Sequence, residues 1–272
     1  MLKALLRIYA SLPLPIIHAV GVLIGCMMLF DKKISRRVRN NLATANISQE
    51  NQSQKRLAWL TIKETGKGIA ESFAIWFRNP ESSLKWVKQC NGWEHVENAL
   101  AEKHGIIFLT PHFGCFEITA QYYAQHHAIS VLFKPTEQGW LAPLVAEGRS
   151  KRQVKLAPTN MRGVRSLLKA LRSAEAIGIL PDQVPELGDG VWADFFGHPA
   201  YTMTLVSKLA ETTNAKILLA FGERLPWGRG YIIHIEPLNA EATPQNINHG
   251  IERLVRQRPE QYLWSYRRYK QP

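Results

Sequence analysis

The chain predicts an α/β fold: a mainly parallel, mixed sheet flanked by helices. Three observations carry that prediction. Short apolar runs bounded by turn residues recur after residue 105. Amphipathic patterns at three- and four-residue steps separate them. The 272 residues, 46% hydrophobic, suffice for one sizeable core. The apolar runs read as strands are Ile106–Leu109, Ile129–Phe133, Ile177–Leu180, Ile217–Phe221 and Tyr231–Ile235. Helical patterns lie at Phe116–Gln125, Leu141–Lys151, Met161–Ser173, Thr202–Thr212 and Asn246–Gln257, with Thr202 read as a helix cap. Strand alternating with helix is the signature of parallel crossovers.

Ahead of this domain the reading is helical. Ile8 to Phe30 carries no full charge and is followed by a cluster of Lys32, Lys33, Arg36, Arg37 and Arg39. An apolar run ending in a polybasic patch suits a bilayer with anionic headgroups. Pro13 and Pro15 interrupt the run, and the stretch from Ile16 to Phe30 rises only about 22 Å against a hydrocarbon core of roughly 30 Å. A kinked span, a dip into one leaflet and a buried core helix are the alternatives. No small-x-small cleavage site precedes the basic cluster, which argues against a signal peptide. Residues 1–40 are therefore read as a membrane-binding segment and 41–272 as the main domain. From Asn40 to Lys103 the pattern is helical, with Leu57, Leu60, Ile69, Phe73 and Trp76 at helical steps; "GWEHVENALAEKHG" is a shorter helix closed by Gly105.

The 34 basic residues outnumber the 22 acidic ones, a net charge of +12. Such a surface favours an anionic partner: nucleic acid, an acidic membrane, a phosphorylated substrate or an acidic carrier protein. The cysteines, Cys26, Cys90 and Cys115, are odd in number and far apart, so no disulfide framework is indicated and a reducing compartment fits.

The stretch "GIIFLTPHFGCFEITA" carries the chemistry. His112 follows a strand end, where ligands gather in open α/β sheets. Glu117 stands five residues later, which on one helix would separate the two by about 140°. For the pair to cooperate, His112 must precede the helix that holds Glu117, a break that Pro111 favours. Glu117 would then fix one imidazole nitrogen and leave the other to accept a proton from a hydroxyl. Spacing alone also admits a structural His–Glu pair, a Cys115 nucleophile with His112 as base, or a metal site with His126 or His127.

Three blocks together, "PHFGCFE", "LPDQVPELGDGVWADFFGHPAYT" and "QYLWSYRRYK", resemble the lipid A biosynthesis (late) acyltransferase family, within the broader glycerolipid acyltransferase-like group. The likeness extends to "LPLPIIHAVG" and "RRVRNNLATA" near the start. It implies a membrane-associated acyltransferase moving a fatty acyl chain from an acidic acyl carrier protein to a hydroxyl of an anionic glycolipid, the lipid A precursor. His112 would be the general base and Glu117 its partner. No cofactor, metal or nucleic acid is implied, and the location would be the bacterial inner membrane, with the catalytic domain on the cytoplasmic side. An acceptor of another lipid class keeps the same chemistry; a hydrolase, or a non-catalytic membrane or nucleic-acid binder, is a rival of a different kind.

The remaining candidates follow from charge and place. Lys134, where similar proteins carry an arginine before the proline, is a candidate for an acceptor phosphate, with Arg149 and Arg152 sharing that role. Asp182 and Gln183 lie beyond a strand end and are expected near the acceptor site. Trp192, Phe195 and Phe196 are candidates for lining an acyl channel. Arg162, Arg165, Lys169 and Arg172 form a basic stripe suited to carrier-protein or headgroup docking, or simply to water. The C-terminal aromatics interleaved with Arg267, Arg268 and Lys270 read as a membrane-interface element.

Overall fold

The computed structural model describes residues 2–47, 51–136 and 138–272. The predicted segments also cover Met1, residues 48–50 and Glu137, which lie outside them. The chain opens with α1 (Leu2–Ser11), α2 (Leu14–Leu29), α3 (Lys32–Thr44) and the long α4 (Asn51–Phe77), then α5 (Pro80–Leu84), β1 (Val87–Asn91) and α6 (Trp93–Ala101). The central part runs β2 (Ile106–Leu109), α7 (Phe116–Tyr123), β3 (Ile129–Phe133), α8 (Ala142–Arg149), β4 (Val154–Pro158), α9 (Met161–Arg172) and β5 (Ala176–Ile179). A hairpin of β6 (Gly190–Phe195) and β7 (His198–Met203) precedes α10 (Leu205–Thr213), β8 (Lys216–Arg224), β9 (Tyr231–Pro237) and α11 (Pro244–Gln257).

Among the described residues seven strands form one sheet in the order β1-β9-β8-β2-β5-β3-β4. All neighbours are parallel except β8 and β9, which are antiparallel. The sheet is thus mainly parallel and mixed, with helices on both faces. One face buries Ile107, Leu109, Ile177, Ile179, Leu219 and Phe221; the other buries Ile106, Phe108, Ile129, Ala176, Leu218 and Ala220. This alternation along β2, β5 and β8 is the period-two pattern of strands covered on both sides.

Three strand regions differ from the sequence reading. β1 lies inside the stretch read as helical; its exposed Lys88 and Gln89 hide it, because an edge strand needs little apolar surface. β4, the opposite edge, escapes the pattern for the same reason. Thr202 is not a helix cap: it pairs with Val191 in the β6–β7 hairpin, is fully buried, and accepts from Arg268 and Asn248. The C-terminal aromatics are likewise structural. Tyr262 and Trp264 are core residues, and the Arg268 guanidinium donates to the Tyr201 carbonyl and to Asn248. Arg267 and Lys270 stay exposed.

No described helix is by itself long and apolar enough to cross a membrane; α1 and α2 pass that test only as a pair, bent by 117°. The bend falls at Leu12 and Pro13, and Pro15 occupies the first turn of α2, where its missing N–H is no loss. The boundary placed after residue 40 falls inside α3, whose Val38 and Leu42 belong to the main core. α2 lies along α4 with backbones nearly touching. A Cβ added to Gly66 would come within 2.2 Å of the Gly21 carbonyl, so these positions admit nothing larger than glycine.

A buried polar cluster joins these helices to the sheet. Arg224 at the end of β8 donates to Glu71 and Glu64 of α4; Tyr231 of β9 donates to Glu71, and His18 of α2 lies 3.1 Å from the same carboxylate. Burial works to raise the Glu71 carboxyl, but Arg224 and His18 outweigh it and hold it well below the usual carboxylate range. Removing one charge strands the other in a dry interior. Glu71→Gln is therefore expected to lower unfolding free energy by about 3–5 kcal/mol, read as a fall in the denaturant midpoint.

Candidate active site

β2 and β5 pair in register, Leu109 opposite Ile179, and the Thr110 N–H donates to the Ile179 carbonyl at 3.0 Å. Three residues past each partner stand His112 and Asp182. Adjacent parallel strands lie about 4.8 Å apart, so equal offsets bring the two side chains together. Asp182 grips His112 twice: Oδ1 is 2.8 Å from the ring Nδ1, and Oδ2 accepts the His112 backbone N–H at 2.9 Å. A carboxylate on Nδ1 assigns the proton there and leaves Nε2 as the basic atom. Nε2 meets the Gln183 amide nitrogen at 3.2 Å, so that amide donates to it. Gln183 is exposed, and the imidazole is only 14% exposed.

The loop that carries His112 is pinned from two sides. The Cys115 N–H donates to Gly222 of β8, the Gly114 N–H to Gln261, and Leu263 N–H to the His112 carbonyl. Gly114 has φ +57, and a Cβ there would come within 2.1 Å of the Gly222 oxygen, so only glycine makes this turn. Val184, two residues after Asp182, donates to the Tyr266 hydroxyl. Burial acts to raise the Asp182 carboxyl, and the His112 charge and hydrogen bonds overcome it, leaving it below its ordinary value.

The expectation that Glu117 orients the ring is corrected: the carboxylate on His112 is Asp182. Glu117 sits in the first turn of α7, buried, and both its oxygens accept from the Nε of Arg149 at 3.1 and 3.0 Å; a terminal guanidinium nitrogen also meets Oε1. Arg149 ends α8 and lies over the rings of Trp76 and Phe133. It is a partner of Glu117, which its position in sequence does not disclose.

Between α7 and the sheet lies an apolar cavity. Phe108, Tyr123, Ile129, Val131, Ala220 and Ile235 line it, with Gly178 of β5 at its floor and Glu117 and Arg149 as its charged lining. His112 is not in the lining. Phe116 is, and its ring packs on the imidazole at 4.9 Å, so the cavity ends one aromatic ring from His112. Trp192, Phe195 and Phe196 do not line this cavity. Phe195 and Phe196 are core residues of the other layer, and Trp192 is exposed on the hairpin.

The other candidates are scattered. Lys134 is exposed beyond β3 and pairs with Glu186 of the loop that follows Asp182, at 3.0 Å. Arg152 precedes β4, at the opposite edge of the sheet from His112, and pairs with Glu81. Arg162, Arg165, Lys169 and Arg172 are all exposed on α9. Cys115 is buried, and burial and the Glu71 charge push its thiol well up, which disposes of a thiolate nucleophile. His126 and His127 follow the far end of α7, one helix length from His112.

The family description "Bacterial lipid A biosynthesis acyltransferase" matches residues 1–271. The chain belongs to that family. It is 25% identical to a lipid A biosynthesis lauroyltransferase of Escherichia coli (strain K12), over 97% of this chain and 89% of that one. It is 23% identical to the lipid A biosynthesis palmitoleoyltransferase of the same organism, over 97% and 88%. A lipid A biosynthesis acyltransferase of Haemophilus influenzae is 25% identical over 98% and 88%. Membership makes the chain an acyltransferase of lipid A synthesis.

A carboxyl with a depressed folded pKa stabilises the fold above its unfolded value, about 3.9 for aspartate, and loses that contribution as pH falls through the folded value. The stability gap between the wild type and Asp182→Asn should be present at neutral pH and shrink below about pH 4, as denaturant titrations at several pH values would show.

Proposed function

We propose that this acyltransferase moves a fatty acyl chain from an acyl carrier protein thioester to a hydroxyl of a lipid A precursor, with His112 as general base and Asp182 as the group that orients it. The observation that carries this reading is the Asp182–His112 pair, Nδ1 held at 2.8 Å, one aromatic ring from an apolar cavity. The incoming hydroxyl takes the place of the Gln183 amide at Nε2. It attacks the thioester carbonyl, its proton passes to Nε2, and an O–C bond forms. Collapse of the tetrahedral centre breaks the C–S bond, and the imidazolium returns the proton to the leaving sulfur. No acyl-enzyme is needed, because the thioester is already activated.

The negative charge that develops on the carbonyl oxygen needs a fixed donor. Arg149, half-buried beside the cavity and locked by Glu117, is the cation suited to this. In this scheme Glu117 serves the reaction through Arg149 rather than through the ring. The acyl chain occupies the cavity. Lys134 faces the acceptor phosphate, and the exposed stripe of Arg162, Arg165, Lys169 and Arg172 receives the acidic carrier protein. The apolar outer side of α2 rests on the cytoplasmic leaflet of the inner membrane. Because the other side of α2 is fixed along α4 and its charged residues, we read this helix as lying on the bilayer rather than crossing it.

Acyl transfer to a lipid A precursor, measured with a defined acyl carrier protein donor and with a lysophospholipid as control acceptor, tests the assignment. His112→Ala should abolish turnover with the fold retained, and Asp182→Asn should lower it by about 10³–10⁴-fold, as expected when a base is held in the wrong tautomer. Wild-type turnover in Asp182→Asn would sink the reading.

The cavity floor supplies a second test. A Cβ at residue 178 would meet Val131 Cγ2 at 3.3 Å and intrude on the space above Gly178. Gly178→Ala should shift kcat/KM toward shorter acyl donors by about tenfold, the scale on which an apolar pocket discriminates one methylene. Competition between donors of different length, read by mass spectrometry, measures it.

A further inference from the structure

The turn between β8 and β9 holds an unusual residue. Trp227 is 88% exposed, and its backbone has φ 62 and ψ 21. The left-handed region disfavours a bulky side chain, and a glycine or asparagine would sit there without strain. Pro226 before it and Gly228 and Gly230 after it fix the turn, closed by the Leu225 N–H donating to the Gly230 carbonyl at 2.9 Å. The chain therefore spends conformational strain to hold an indole outside the protein. Exposed Arg229 stands two positions further on and folds back to the Pro226 carbonyl.

The turn abuts the N-terminal helices: a Cβ on Gly228 would meet Pro15 at 2.5 Å. From there the exposed side of α2 is an uninterrupted apolar row, Ile16, Leu23 and Met27, ending in Phe30, itself 88% exposed. Exposed Lys32, Lys33 and Arg36 follow directly. Trp227 thus extends the row at one end, with Arg229 beside it, as the basic cluster flanks the other. The turn also lies at the carboxyl edge of the parallel strands. Gly222 of β8 bridges to Gly114 of the His112 loop, and β8 runs on past it toward the turn.

We propose that the Trp227 turn is a second bilayer-contacting element, which places its indole among anionic headgroups and presses the carboxyl edge of the sheet, with His112, toward the membrane. An indole with an apolar body and one N–H belongs at that interface, and an adjacent arginine complements phosphate. The proposal rests on the membrane reading of α2 and adds an attachment point about 200 residues away in sequence at roughly the same surface.

Co-sedimentation of the full chain with phosphatidylethanolamine–phosphatidylglycerol vesicles tests it. Trp227→Ala should bind about tenfold more weakly, Trp227→Phe should keep most of the binding, and Arg229→Gln should flatten the dependence on phosphatidylglycerol content. Quenching of tryptophan emission by brominated phospholipid should be smaller in Trp227→Phe than in the wild type. Equal vesicle binding by Trp227→Ala together with equal quenching in Trp227→Phe overturns the proposal. If the wild type itself does not bind, the membrane reading of α2 falls and this one with it. If Leu23→Glu and Met27→Glu abolish binding while the Trp227 variants behave as wild type, only the turn is excluded. Should Trp227→Ala instead convert a dimer to a monomer in light scattering with vesicle binding unchanged, the turn is a self-association surface and the proposal is wrong. Unchanged melting midpoints in circular dichroism show that the variants fold.

Discussion

The in-register pairing of β2 with β5 is the constraint on which the site depends. A slip of one residue would reverse the faces of four strand residues buried on both sides and would separate His112 from Asp182 by a further strand step. Register here is secured by burial, since Ile106, Ile107, Leu109, Ile177 and Ile179 are all sealed from water. Core packing and the geometry of the His112–Asp182 pair are therefore the same problem in this fold. The loops that follow the two strands need only equal length to bring imidazole and carboxylate into contact.

A second dependency runs through Arg224. Its guanidinium reaches from the sheet into α4 at two carboxylates, Glu71 and Glu64. Through Glu71 it also reaches His18, so α2 is fastened to the domain by polar contacts as well as by the close approach of glycine backbones. Such a cluster contributes little net stability compared with apolar packing, but removing any one of its charges leaves another unpaired in the interior.

Much of the fold was legible in the sequence. Buried strands such as Ile106–Leu109 and Ile217–Phe221 announce themselves by apolar runs, and α9 and α11 by their periodicity. The two edge strands were not legible, because two of the five residues in each face water, and the β6–β7 hairpin was hidden in a stretch rich in glycine and proline. At the site, His112 and Asp182 were each found at strand ends, but their contact was not, since it depends on β5 lying beside β2, and strand order is not written in local pattern. The five-residue spacing drew attention to Glu117 instead. Its true partner, Arg149, lies 32 positions away, and only the packing of α8 against α7 joins them. The aromatic C-terminal stretch misled for a related reason: composition cannot distinguish an interfacial belt from a strap that covers a core.

That strap has a consequence for biogenesis. Residues 261–266 brace the His112 loop through Gln261 and Leu263, and Tyr266 braces Val184 from 82 positions away. During translation His112 and Asp182 leave the ribosome well before the segment that braces their loops. A nascent or prematurely terminated chain thus has both side chains without the contacts that hold their loops together.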